Sequence, residues 1–200
     1  MSFDQMDSGR VRADDLRLAS YLMKNWHTTP FEMIEVWIEM KLPIFVARQF
    51  VRHRTVSINE VSGRYVTLPQ EWYIPKLENV GIKSASAKQG RDIVQMGDED
   101  KRKAQKFIDR LNDICVLSYS SYLEAISDGI PAELARLHLH LNHYTHWIWK
   151  QDLHNLMHFM SLRDHSHAQF EAQVYASAVA DMLRQHLPYS MELYDTHRRR

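Results

Sequence analysis

Ile34-Glu35-Val36-Trp37-Ile38-Glu39-Met40-Lys41-Leu42-Pro43-Ile44-Phe45-Val46-Ala47-Arg48-Gln49-Phe50-Val51-Arg52-His53-Arg54 changes its period halfway along. Up to Leu42, the apolar Ile34, Val36, Ile38, Met40 and Leu42 alternate with Glu35, Trp37, Glu39 and Lys41, the two-residue repeat of a strand with one buried face. Pro43 stops that strand and suits the first turn of a helix, where its fixed φ is already helical and no N–H is needed. The spacing predicts a helix from Ile44 to about His53. Gln49 and Arg52, three apart, share a face of it, with His53 and Arg54 at its end.

Working outward, Asp14 to Trp26 reads as a helix, interrupted by His27-Thr28-Thr29-Pro30 because proline disfavours helix in the residue before it. Beyond Arg54 the chain is expected to leave the helix as a loop. Val66 to Ile74 reads as extended, and Gly81 to Glu99 as a loop or short helix. From about Asp100 a long helix begins, its apolar stripe made of Ile108, Leu111, Cys115, Tyr119, Tyr122 and Ile126. Gly129 ends it, and Pro131 opens a short helix carrying Arg136. Leu137, Leu139 and Leu141 alternate with His138, His140 and Asn142 and predict a second strand. Helices follow over Leu153–Leu162 and from about Ala168 to His186, and Arg198-Arg199-Arg200 reads as a short basic tail.

Two hundred residues with 44% hydrophobic content suit one globular domain with its own core. Lys+Arg and Asp+Glu each total 25, so the basic excess of a duplex nucleic-acid binder is missing and the arginines are expected to act locally on something small. No apolar run reaches the length of a membrane span, the polar N-terminus does not read as a signal peptide, and the single cysteine fits a reducing cytoplasm. Cys115 sits in the apolar stripe of a helix, where a structural role is expected rather than that of an exposed, electropositive nucleophile.

Between Arg52 and Tyr65 the chain carries Arg52, Arg54 and Arg64 with His53, Glu60 and Ser62, and Gly63 precedes the last arginine. Arginine presents a planar fork of donors that matches phosphate and carboxylate oxygens. Isolated arginines would read as solvated ion pairs with Glu35, Glu39 or Glu60. This density, together with Arg136 and Arg163 later in the chain, favours an anionic ligand. Ser62-Gly63-Arg64 offers a hydroxyl, open backbone N–H groups and a guanidinium where a phosphate can sit. Eight of the twelve histidines fall between His138 and His167. His154 and His158 have the spacing of helical zinc ligands, but the glutamate of an HExxH motif is absent, so no metal site is expected.

Arg52 to Ser62 resembles, position for position, the RHR-x7-S signature of the flavin-dependent thymidylate synthases. His27-Thr28-Thr29-Pro30-Phe31-Glu32 is similar to that family's H-x-TPFE segment, and Pro43 to Gln49 to its PIFVARQ helix. Ala135-Arg136, Leu141-Asn142 and Tyr144-Thr145 resemble the strand that faces the nucleotide. Leu156-Met157-His158-Phe159 to Leu162-Arg163, then Ser166-His167-Ala168-Gln169 and Glu171, resemble the flavin-binding helix and its sequel. The resemblance runs from about Ser2 to His186 and is weakest over 75–105.

It implies an α/β (α+β) fold with a central, mainly antiparallel sheet and long flanking helices, assembled as a homotetramer whose active sites lie where subunits meet. It implies conversion of dUMP to dTMP, with methylenetetrahydrofolate as one-carbon donor and NADPH as reductant through FAD. By matching position, Gln49, Arg52, Glu60, Ser62, Gly63, Arg64, Arg136 and Arg163 would hold dUMP. Ser2, Thr29, Arg52, His53, Arg54, Glu60, Asp152, His154, His158 and His167 would contact FAD. Arg163 matches the residue that stabilises negative charge on the uracil ring as C5 becomes nucleophilic, a role that needs no cysteine thiolate. Many members carry a further segment with a first strand before the position of Ser2, so residues 1–200 are expected to form one such domain without that strand. Asp152 stands where many members have asparagine, and His140 and His146 replace a proline and an arginine of some relatives.

Overall fold

The computed structural model describes residues 13–83, 91–92, 96–165 and 167–199. In chain order the elements are α1 (Ala13–Lys24), α2 (Thr29–Glu32), β1 (Glu35–Pro43), α3 (Ile44–Phe50), β2 (Ser57–Glu60), α4 (Leu77–Val80), β3 (Ile82–Lys83) and β4 (Arg91–Asp92). There follow α5 (Asp98–Ser127), α6 (Ala132–Ala135) with a 3-10 turn at Arg136–His138, β5 (Tyr144–Asp152), α7 (Leu153–Arg163), α8 (Phe170–His186) and α9 (Pro188–His197). The chain forms two compact units. One is the continuous segment Trp37–Lys150; the other is assembled from Met1–Val36 and Gln151–Arg200.

The continuous unit is built on a three-stranded sheet in the order β1-β5-β2. β2 runs antiparallel to β5, with Ser57 opposite Lys150 and Glu60 opposite Trp147. β1 alternates as its sequence requires: Ile38, Met40 and Leu42 are buried, while Trp37, Glu39 and Lys41 are exposed. Pro43 ends it and α3 begins at once. The helix's first free donors are satisfied by backbone, Ile44 N–H on the His143 carbonyl at 3.0 Å and Phe45 N–H on that of Leu141 at 2.9 Å.

Three expectations for this unit are corrected. Residues 137–142 form no strand: Arg136–His138 is a 3-10 turn, and Leu137 and Leu141 are exposed. The strand is β5, whose buried side is Thr145, Trp147, Trp149 and Gln151. Its two faces do not separate by polarity, since Thr and Gln point inward and Ile148 outward, so alternation of apolar residues singles out the wrong segment. The expected loop after Arg54 contains β2, a polar edge strand in which Ile58 alone is more than superficially covered. Its backbone pairing to β5, not its side chains, makes it a strand. Of the stretch Gly81 to Glu99, Ile82–Lys83 and Arg91–Asp92 pair as a short antiparallel ribbon, and α5 starts at Asp98; 84–90 and 93–95 lie outside the described residues.

α5 follows the predicted stripe, burying Cys115, Tyr119 and Tyr122. Asp98, Glu99 and Asp100 occupy its first turn, where negative charge complements the helix dipole. Gly129 closes it at φ 79°, a left-handed conformation that glycine adopts without strain, and Ile130 N–H reaches back to the Ala125 carbonyl at 3.0 Å. Tyr119 and Tyr122 pack with Ala135, Trp72, Ile126 and Leu139. Both hydroxyls act on one residue: Leu68 N–H donates to the Tyr122 oxygen at 3.0 Å, and the Tyr119 hydroxyl donates to the Leu68 carbonyl at 3.0 Å. Burial raises the pKa of Tyr119 above its ordinary value, so the phenol keeps the proton it donates.

In the other unit α7 packs on α2 and α8, α8 on α9, and α9 on α1. Ala172, Ala176 and Ala180 recur every four residues on α8 and are wholly buried, which lets a neighbouring helix approach closely. The last helix, α9, follows the predicted helix to His186 and precedes the basic tail; Pro188 opens it, and Met191 and Tyr194 anchor it in the core. Two residues beyond α1, Trp26 turns the chain at a left-handed φ of 61°, with His27 N–H closing on the Leu22 carbonyl at 2.9 Å. The Arg198 guanidinium covers the Trp26 ring 3.1 Å from its centroid. Among the described residues no helix is long and apolar enough to cross a membrane.

Tyr122→Phe leaves the buried Leu68 N–H without its acceptor, and chemical denaturation should show a loss of about 1–3 kcal/mol of unfolding free energy. A loss below the scatter of the measurement would mean that water takes over that donor.

Candidate functional site

Ser62, Gly63, Arg64 and Arg136, distant in sequence, meet in the continuous unit. Val61 N–H donates to the His146 carbonyl at 2.9 Å, which carries the chain off the end of β2 into a tight turn. There Tyr65 N–H donates to the Ser62 carbonyl at 3.0 Å, and Arg64 N–H to the Ser62 hydroxyl at 3.3 Å. Gly63 is buried. Its role is close approach: a Cβ at this position would lie 2.9 Å from Leu68 Cδ1 and 3.5 Å from Arg136 Cδ. The tyrosine-held Leu68 therefore seats the turn, and the turn lies against the stem of Arg136.

The charges here are matched at short range. Arg64 Nε lies 3.3 Å from a Glu133 carboxylate oxygen, both side chains half exposed. Arg136 Nε donates to the Glu133 backbone carbonyl at 3.3 Å. The Arg64 guanidinium also lies 5.6 Å from the Tyr65 ring centroid. Both arginines engage through Nε, so among the described residues their Nη ends are uncommitted. Those ends are the fork that recognises a phosphate bidentately.

Glu60 sits at the end of β2 and accepts from the buried Thr145 hydroxyl at 2.5 Å. Glu39 pairs with His146 at 2.9 Å. Among the described residues no ion pair joins Arg52 or Arg54 to a carboxylate, so the solvated-pair alternative for these two finds no partner in Glu39 or Glu60. Gln49 lies on α3, and Arg52, His53 and Arg54 follow its C-terminal end, His53 N–H closing on the Phe50 carbonyl at 3.0 Å. Arg52 and Arg54 are exposed and His53 is half-buried. Cys115 is buried, within 3.2 Å of the Asn142 amide nitrogen. A concave region of about 430 Å³ along one side of α5 between Arg102 and Asp113 shares no residue with this group.

The remaining expected residues belong to the other unit. Thr29 opens α2 and is exposed. Asp152 caps α7: one carboxylate oxygen accepts from Asn155 N–H at 2.9 Å and the other from the Asn155 side-chain amide at 2.7 Å. His154 and His158 follow on α7, one half-buried and one exposed. Arg163 ends α7 half-buried, and desolvation lowers its pKa from the ordinary arginine value, leaving a poorly hydrated cation. Beside it, Asp164 accepts from the Ser177 hydroxyl at 2.5 Å. His167 stacks on His165 with ring centroids 4.9 Å apart. Ser2 and Ser166 lie outside the described residues.

Sequence reasoning missed Glu133 and Leu68 as partners of this site, and placed Thr145 in the nucleotide-facing segment without its partner Glu60. For Glu133 a signal existed, since it lies three residues before Arg136, the distance of one helical turn. Leu68 carries no such signal, because it acts through a contact that the fold creates.

A family described as thymidylate synthase complementing protein matches residues 2–189. A protein named flavin-dependent thymidylate synthase from Ehrlichia ruminantium (strain Gardel) is 44% identical over 176 residues, covering 88% of this chain and 58% of its own length. One of the same name from Wolbachia pipientis wMel is 45% identical over 182 residues, covering 91% and 63%. The chain thus spans roughly three-fifths of the curated relatives it matches, 58% and 63% in these two cases. Among solved structures, a UMP/dUMP methylase, PolB, from Streptomyces cacaoi bound with 5-Br UMP superposes with a TM-score of 0.84 at 26% identity, covering 96% of this chain and 86% of that one.

Asp152→Ala should lower unfolding free energy by about 1 kcal/mol through loss of the cap, whereas Asp152→Asn, which keeps an accepting oxygen, should lose a small fraction of that. Thermal melts of the two variants side by side check this. Equal losses would mean that the carboxylate's charge, not its acceptor geometry, holds the end of α7.

Proposed function

This chain belongs to the thymidylate synthase complementing protein family, and we propose from that premise that it converts dUMP to dTMP as a flavin-dependent thymidylate synthase. The observation that carries the reading is the meeting of Ser62-Gly63-Arg64 with Arg136, two arginines presenting uncommitted Nη ends beside a hydroxyl. That arrangement suits a phosphomonoester better than a neutral ligand. Gln49, Arg52 and Glu60 would complete the nucleotide contacts, and residues 1–200 would act as one domain of this family.

Arg163 is the residue assigned to the base. A half-buried cation placed at O2 and N3 of uracil stabilises the negative charge that develops as C5 becomes nucleophilic, and its limited hydration strengthens that effect. Cys115 takes no part: its thiol is buried and hydrogen-bonded to Asn142, which supports activation of the ring by polarisation alone.

The donor set fits FAD. Exposed Arg52 and Arg54 flank His53 at the end of α3, where paired guanidinium groups suit a pyrophosphate, and His154 and His158 lie one turn apart on α7. These residues, with Thr29, Glu60, Asp152, His167 and Ser2, would hold the cofactor. Bound FAD would relay hydride from NADPH to the one-carbon unit delivered by methylenetetrahydrofolate. The protein's part is to position and polarise. Leu117, Leu134, Leu137 and Leu141 are each more than half exposed, an apolar surface that supports burial in a homotetramer with shared active sites. A cytoplasmic location fits this reading.

Purified protein should be yellow and should bleach with NADPH in a dUMP-dependent manner, forming dTMP when methylenetetrahydrofolate is supplied. Protein that takes up no added FAD would sink the proposal. Arg163→Ala is expected to keep its flavin spectrum while losing at least about a hundredfold in turnover; near-normal dTMP formation would remove Arg163 from its assigned role. Cys115→Ala should turn over within about twofold of the parent enzyme, as the thiol makes no contact with the reacting ring in this mechanism. A folded but inactive Cys115→Ala protein would contradict the thiol-free reading.

A further inference from the structure

Glu133 touches both cations of the phosphate-side group, with two different atoms. Its carboxylate lies 3.3 Å from Arg64 Nε, and its backbone carbonyl accepts from Arg136 Nε at 3.3 Å. A carboxylate so close to a phosphate site is unfavourable on charge alone, because it repels the ligand it adjoins. Placed against Nε, however, it engages the rear edge of the guanidinium and leaves the Nη fork available. Arginine loses much side-chain freedom when it grips a ligand, and a guanidinium already held at Nε has less left to lose. Gly63 contributes to the same end by letting the Arg136 stem lie against the turn, 3.5 Å from where a Cβ would be.

We propose that Glu133 is a positioning residue for phosphate recognition: it holds Arg64 through its carboxylate and Arg136 through its carbonyl so that both present their Nη ends to one phosphomonoester. This rests on the dUMP reading above. Glu133 touches no substrate; it acts through the two arginines. The carbonyl contact survives any side-chain change, so substitution tests the Arg64 half of the arrangement in isolation.

Steady-state kinetics on the flavin-loaded enzyme, with calorimetric binding of dUMP and of deoxyuridine, separate the possibilities. Glu133→Ala should raise KM for dUMP about fivefold with kcat changed by less than about twofold, the size expected for loss of one half-exposed charge contact. Deoxyuridine binding should not change, since it has no phosphate. Glu133→Gln, which keeps an oxygen beside Nε without the charge, should recover part of the KM. Arg64→Ala combined with Glu133→Ala should be no worse than Arg64→Ala alone, because the two act as a unit. A fall in KM in Glu133→Ala or Glu133→Gln would overturn the inference and make Glu133 a repelling neighbour. An unchanged KM beside a raised KM in Arg64→Ala would also overturn it, while leaving the dUMP reading intact. Arg64→Ala binding dUMP as tightly as the parent would overturn the phosphate site itself.

Discussion

Two tyrosine hydroxyls on one residue, Leu68, hold the group proposed to take the phosphate in place. Tyr119 and Tyr122 lie on the buried stripe of a thirty-residue helix, so their own positions are set by the helix and its packing. By taking both the N–H and the carbonyl of Leu68 they determine where that side chain goes. Leu68 then fills the space that a side chain at position 63 would need, and glycine there lets the turn close without displacing it. Arg64 and Arg136 inherit their placement from that contact. The recognition elements are thus mounted on buried, fully satisfied backbone rather than on a free loop.

The electrostatics follow the same short-range logic. With 25 basic and 25 acidic residues the chain has no net field to steer an anion from a distance. Cations near the sheet are answered by nearby carboxylates, Lys41 by Glu71 and Arg64 by Glu133, and the His146 ring lies against Glu39. What distinguishes the two arginines of the site is which nitrogen is used. A pair made through Nε neutralises charge on average and still leaves directional donors facing outward. In the proposed site, selectivity for a phosphate would come from geometry within a few ångströms, which survives physiological salt better than a long-range field does.

Where one residue type dictates one local outcome, the sequence was readable. Alternation from Ile34 to Leu42 marked β1 and its buried face, Pro43 marked the switch to α3, and the three-and-four spacing of α5 located Cys115, Tyr119 and Tyr122. The signature pointed to Ser62, Gly63, Arg64 and Arg136, and these do come together. Legibility failed where a tertiary contact decides. β2 is polar and exists through its pairing to β5, while β5 hides its period behind an inward Thr145 and Gln151. The three leucines of 137–141 imitate a strand because alternation says nothing about whether a neighbouring strand is present. Glu133, Thr145 and Asp152 show the same limit at the site. Glu133 and Asp152 are acceptors and Thr145 a donor whose partners are set by the fold, and Asp152, read as a flavin contact, also serves as the cap of α7.

The division of the chain also bears on how it is made. Trp37–Lys150 is contiguous, whereas the other unit needs residues from both ends. As the polypeptide emerges from the ribosome, the contiguous unit has all its parts once Lys150 is out, while α1 and α2 still lack α7, α8 and α9. α1 and α2 therefore wait, with Met23 and Phe31 uncovered, for partners made later. That ordering makes the early helices, not the phosphate-side group, the segment most dependent on chaperones during synthesis.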